Sequence, residues 1–251
     1  MCPRVRPLFI GEGFGTSSKE RRVLAKVAKT MSMNSSHDAR GQRGFTLLEM
    51  MIVVAILIVC SSITFMSLQP VLKQQRVTNG YNIALSALRL ARDNAVAQRT
   101  SYSVTFSNSA TPNTIVVAPT FVGFQGVLPA QTFVMPDTTG FTAEPGIPTG
   151  NTNTPDRFGT GANAIDFGYT GQGTGVGNSK VLYFCPDGSA QDGAGGGAGA
   201  CTGNLNSGVV YISRTGELMS SRAITVWGAT GRIRGWRVYS NGAGGTVWKR
   251  Q

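Results

Sequence analysis

Glu49 is the residue whose position most demands a chemical explanation. It is the fifth residue of an unbroken apolar run, FTLLEMMIVVAILIVCSSITFM, at 45–66. An acidic side chain near a bilayer centre costs at least about 2.5 kcal/mol. Within its own chain no cation follows until Lys73, about 36 Å along a helix that rises 1.5 Å per residue. The partner must therefore come from another chain. A cut between Gly44 and Phe45 would supply it, because the new α-amine of Phe45 is largely charged near pH 7. Glu49 of one subunit would then pair with the Phe45 amine of its neighbour, and both charges would be satisfied only on assembly.

A second constellation is basic. Residues 222–251 hold six cations (Arg222, Arg232, Arg234, Arg237, Lys249, Arg250), no acid, and all three tryptophans, Trp227, Trp236 and Trp248. On a strand Arg232 and Arg234 share a face, since side chains alternate with period two. A bulge at Gly235 would bring Trp236 and Arg237 round to them. Guanidinium groups bind phosphate bidentately and aromatic rings stack on bases, so these are parts suited to a nucleic-acid backbone. The same residues also read as the solvated face of an edge strand, with the arginines discouraging aggregation and the tryptophans turned into the core.

Cys185 and Cys201 form a candidate pair around a Gly-rich loop. A disulfide closing about 17 residues there contributes roughly 3 kcal/mol by restricting the unfolded chain, and it implies an oxidising compartment; two free thiols are the alternative. Asp187-Gly and Asp192-Gly form only part of a calcium loop, and paired turns explain them better. The only histidine is His37, so a chain cut after Gly44 has none. That removes Ser-His and Cys-His catalysis and His-ligated metals. Glu49, Glu144 and Glu217 would be the remaining glutamates, and no Gly-rich phosphate loop with its lysine occurs. The reading is of a protein that is not an enzyme, without catalytic residues, cofactor or metal; a membrane-anchored enzyme is the remote alternative.

The elements that position these residues are legible from composition and period. Charged residues are 14% of 251 and glycines number 33, a profile poorer in charge and richer in glycine than an ordinary soluble domain. Residues 1–44 carry nine basic against three acidic residues, a net +6, and the remainder fourteen against nine, a net +5. The 22 residues at 45–66 give about 33 Å of helix, enough to span a bilayer and longer than the 7–15 apolar residues of a signal peptide. Arg40 and Arg43 precede the run and place residues 1–44 in the cytoplasm, with all that follows the span outside. Tyr81, Ala84, Leu88, Ala91 and Ala95 recur at spacings of three and four, so the helix is expected to continue to about Arg99. Pro70 is expected to bend it, and Asn79-Gly80 is a second weak point. From Ser101 the period changes to two. Strands are expected over Tyr102, Val104 and Phe106 and over 114–118, 132–135, 181–184, 209–212, 223–227 and 232–239. The connections at 136–163 and 187–207 read as surface loops, and no internal repeat is found.

Arg43-Gly44-Phe45-Thr46-Leu47-Leu48-Glu49 and the apolar run resemble the class III signal of type IV pilins and type II secretion pseudopilins. The long first helix, the short strands and Gly231-Arg232-Ile233-Arg234-Gly235-Trp236-Arg237 further resemble the GspH/FimT family of minor pseudopilins. The resemblance implies that prepilin peptidase cuts after Gly44 and methylates the Phe45 amine. It also implies that the helix bundles with other pilins or pseudopilins into a filament built in the inner membrane, with the head in the periplasm. In FimT-like minor pilins a Gly-Arg-x-Arg tail is associated with DNA, and the matching positions are Arg232 and Arg234, with Arg237 and Trp236 extending them. A type II secretion pseudopilin acting in protein export without DNA binding is the alternative. The implied fold is α+β and pilin-like: a cytoplasmic leader at 1–44, a transmembrane half-helix at 45–66 in contact with inner-membrane lipid, an amphipathic half-helix at 67–99, and a β-rich, two-sheet globular head at 100–251 on which the helix packs. Such leaders are usually short; a start at Met31 or Met33 gives one, and residues 1–30 then read as upstream translation.

Overall fold

The computed structural model describes residues 44–109, 111–121, 128–150, 152–171, 174–193, 201–242 and 244–251, without the side chains of 63, 66, 67, 70 and 170–178. The leader read at 1–43 lies outside the described residues. Contacts divide the chain into two compact units, Met1–Val59 and Cys60–Gln251.

Helix α1 runs Leu47–Gln98, 52 residues. Its start is set by Thr46, whose hydroxyl accepts the Glu49 N–H at 3.2 Å while its carbonyl accepts the Met50 N–H. Thr46 thus caps the first turn, and Glu49 places its carboxylate at the positive end of the helix dipole. The helix is continuous through Pro70 and through Asn79-Gly80, as the expected run to about Arg99 requires. A Cβ on Gly80 would lie 2.9 Å from Thr139 Cγ2 and 3.0 Å from Met135 Cε, so glycine at 80 permits close packing. The helix ends where Arg99 takes a positive φ of 52°.

Within Cys60–Gln251, α1 buries Tyr81, Ala84, Leu88, Ala91 and Ala95, the stripe that the spacing identifies, and Val77 one turn before it. Three alanines in that stripe let the helix axis approach the strands closely. The strands are β1 Tyr102–Ser107, β2 Thr114–Pro119, β3 Gln131–Val134, β4 Gly140–Phe141, β5 Ile165–Gly171, β6 Thr174–Ser179, β7 Val181–Phe184, β8 Ala190–Gln191, β9 Ser207–Ser213, β10 Arg222–Trp227, β11 Arg232–Ser240 and β12 Thr246–Arg250. They form two antiparallel sheets, ordered β3-β2-β1-β7-β8 and β12-β11-β10-β9-β5-β6, with β4 on β9. One apolar cluster joins α1 to both sheets. Phe106 of the first sheet stacks on Phe167 of the second at 5.6 Å, with Phe141 edge-on to Phe106 at 5.4 Å.

A second apolar cluster covers the other face of the larger sheet, where Tyr211, Ala223, Val238 and Trp248 meet Ile147 and Phe158. This corrects the reading of 136–163 as a surface loop. Phe141, Ile147 and Phe158 are buried, and the stretch is held down as a strap by carboxylates. Glu144 accepts the Ser213 hydroxyl at 3.2 Å and the Gly216 N–H at 2.9 Å. Asp166 accepts the Thr160 N–H and the Tyr169 hydroxyl, and burial together with that carboxylate raises the Tyr169 and Tyr211 phenols above their usual range. The strap explains why every residue of β9 is buried: both of its faces are covered. The stretch 187–207, also read as a surface loop, contains β8 and the buried Asn206, whose amide bridges β5, β7 and β8; its residues 194–200 lie outside the described ones.

Candidate functional site

The N-terminal motif presents its side chains outward. Phe45, Leu47, Leu48, Met50, Met51 and Ile52 are each more than half exposed, and Glu49 is exposed among them. Within Met1–Val59 nothing described covers this apolar surface or pairs Glu49 with a cation: the ion pairs among the described residues are Arg214–Glu217 and Arg234–Asp156. Gly44 has open space around its Cβ position, so no steric need of the chain itself accounts for glycine there. Among the described residues no helix is long and apolar enough to cross a membrane; the run at 45–66 includes positions 63 and 66, whose side chains are not described.

The basic segment is divided by the fold. Strand β11 pairs with β10 and β12 in unbroken register, from Arg222↔Arg237 to Trp227↔Arg232 on one side and Trp236↔Arg250 to Ser240↔Thr246 on the other. No bulge occurs at Gly235, contrary to expectation, and Arg237 stays on the face opposite Arg232 and Arg234. Gly235 is needed for another reason: a Cβ there would overlap the Tyr81 hydroxyl, so the absence of a side chain lets α1 lie on the sheet.

Arg234 is turned to internal use. Its guanidinium bonds Asp156 at 2.5 Å and lies over the Trp227 ring at 5.4 Å. The other Asp156 oxygen accepts the Thr225 hydroxyl at 2.5 Å, and that hydroxyl accepts the Trp236 indole N–H at 3.1 Å. Trp236 therefore belongs to the strap clamp, and Trp227, Trp236 and Trp248 all join the second cluster, turned inward as expected, but β11 lies between β10 and β12 and is not the edge strand that the reading assumed. Arg222 is buried, donating to Thr78 at 2.9 Å and Gln251 at 3.2 Å; desolvation, with Arg237 nearby, lowers its pKa. That leaves Arg232, Lys249 and Arg250 exposed and Arg237 half-buried. Arg237 and Lys249 each lie 5.5 Å from the Tyr239 ring centre, an exposed cation–aromatic group.

Cys185 and Cys201 are joined, with Cα atoms 5.8 Å apart. Asp187 accepts the Ser189 N–H in a local turn and Asp192 the N–H of Asn204, 12 residues on, each at 2.8 Å. The Ser189 hydroxyl and N–H hold the Asp187 carboxyl below its usual range.

Residues 39–65 match the prokaryotic N-terminal methylation motif. This supports a type IV pilin-like protein. The motif, with a helix followed by antiparallel sheets, is consistent with the pilin-like fold, and it points to processing by prepilin peptidase, assembly with other pilins and a membrane-anchored filament subunit. No curated protein and no solved structure matches the chain. Asp156 and Thr225 are the residues that the sequence reading of this pilin-like chain missed. The local signal was Thr154-Pro155-Asp156, a turn opening that carries an acid but names no partner.

Proposed function

We propose that the chain is a minor pseudopilin of the GspH/FimT kind. Prepilin peptidase cuts between Gly44 and Phe45, the Phe45 amine is methylated, and residues 45–66 anchor the subunit in the inner membrane with the head in the periplasm. Each Glu49 pairs with the Phe45 amine of a neighbour as the subunit enters a filament. The observation that carries this reading is Gly44-Phe45 with Glu49 four residues on, followed by apolar side chains that the described chain leaves uncovered. Mass spectrometry of the polypeptide isolated from membranes tests it: a mature chain beginning at methylated Phe45 is expected, and an intact front end refutes it. The chemistry is that of assembly, and the protein acts without a catalytic site or cofactor.

The head also contacts DNA through the cations that its last two strands leave at the surface. Four cations, Arg232, Arg237, Lys249 and Arg250, reach the surface of a segment without a carboxylate, which supports binding to phosphate. Binding of the full chain in detergent to duplex DNA, measured against salt, tests this; no binding at low salt favours the secretion pseudopilus over the pilus.

A further inference from the structure

Four arginines from two distant parts of the chain line one cleft of about 590 Å³: Arg89 and Arg92 from α1, and Arg232 and Arg234 from the start of β11. We propose that this cleft is where the head grips the phosphodiester backbone of duplex DNA, and that helix α1 supplies half of the grip. The inference rests on the DNA reading above and changes its residue set: Arg89 and Arg92 enter it, and Arg234 serves as a support.

The four arginines differ in freedom. Arg234 forms the rear wall, neutralised by Asp156. Arg92 is half-buried, and its Nε and Nη2 donate to the carbonyls of Gly188 at 3.5 Å and Thr230 at 3.3 Å. Carbonyls hold a guanidinium without cancelling its charge, so Arg92 braces the β10–β11 turn and remains a cation in the cleft. Gly231, at φ 56°, takes a conformation that side chains disfavour, and a Cβ there would overlap the Gly188 carbonyl and approach Arg92 Nε at 3.0 Å. The turn thus closes tightly onto Arg92. Arg89 and Arg232 are exposed and neither has a carboxylate within 4.0 Å among the described residues.

Counting Asp93, which also lines the cleft, and Asp156 behind Arg234, four cations face two anions, a net +2. Arg89 and Arg92 are three apart on one helix face, where like charges repel. A bound polyanion relieves that repulsion, and a carboxylate-poor cleft with low-dielectric walls concentrates the positive potential. Volume and openness to solvent suit a run of backbone phosphates, and the half-buried Trp227 ring, which also lines the cleft, packs edge-on to Phe158 at 5.0 Å and has Arg234 over it, so that it is covered as a platform for base stacking. Recognition is therefore of the backbone and independent of sequence.

The test measures affinity of the full chain in detergent for a labelled random-sequence duplex across a salt series. Each phosphate contact adds about 0.9 to the slope of log affinity against log salt. Arg89→Gln and Arg232→Gln should each lower the slope by about that amount, and the double variant by about 1.8 with a loss of affinity of roughly tenfold or more. Both residues are exposed, so unfolding temperatures should not move. If Arg232→Gln lowers the slope and Arg89→Gln does not, the helix contribution is refuted while DNA binding survives. If Arg237→Gln/Lys249→Gln abolishes binding and neither cleft variant matters, the site is elsewhere. If the unaltered chain binds anionic vesicles and no duplex at low salt, the DNA reading fails and this inference with it.

Discussion

Replacing Asp156 with alanine removes one of the carboxylates that tie the strap to the larger sheet. Asp156 is 5% exposed and Arg234 20%, and removing one partner of a buried pair costs about 3–5 kcal/mol because it leaves the other charge uncompensated. Water reaching Arg234 pulls the loss toward the lower end, and the Thr225 hydroxyl loses its acceptor as well. About 3 kcal/mol is expected, a fall in Tm of roughly 6–12 °C for a unit of this size. Thermal unfolding followed by tryptophan fluorescence is the suitable assay, because all three tryptophans join the cluster beneath the strap. Asp156→Ala/Arg234→Met should recover most of the loss, since no buried charge is left alone. A single variant that loses less than about 1 kcal/mol, or a double variant worse than the single, refutes the clamp.

Gly235→Ala should cost about 1–3 kcal/mol by forcing the Tyr81 hydroxyl off the sheet, and adding Tyr81→Phe should restore part of that in denaturant unfolding. Cys185→Ser/Cys201→Ser should lower stability by roughly 3 kcal/mol, and a reducing agent should do the same to the unaltered chain and nothing further to the variant. Glu49→Ala should leave insertion into the membrane intact and reduce entry into filaments; normal recovery of the variant with assembled filaments would count against the pairing with the Phe45 amine.

The strands that the sequence reveals best are those with one face buried and the other less so. In β1 apolar residues alternate with polar ones, and the alternation is readable because the two faces meet different surroundings. Strand β5 escapes such reading. Its Gly168 has φ 119° and its register shifts between Phe167 and Tyr169, so the period is broken at the middle. The strap escapes for a different reason: its Gly-, Pro- and Thr-rich composition is that of a loop, and only Glu144 and Asp156, with partners 69 or more residues away, and Asp166, which accepts the Thr160 N–H six residues back, convert it into a cover for the sheet.

Local chemistry was enough to single out the N-terminal motif, because Gly44, Phe45 and Glu49 lie within a few positions of one another and the motif depends on spacing alone. The helix stripe and the Cys185–Cys201 pairing were legible for the same reason. Which arginines remain available was decided by tertiary structure. Arg232, Arg234 and Arg237 are alike in sequence, but unbroken register sends Arg237 to one face and Arg234 onto a carboxylate from 78 residues earlier, while Arg89 and Arg92 arrive from the helix. Charge is a property of a residue, whereas its neutralisation depends on what the fold brings within reach.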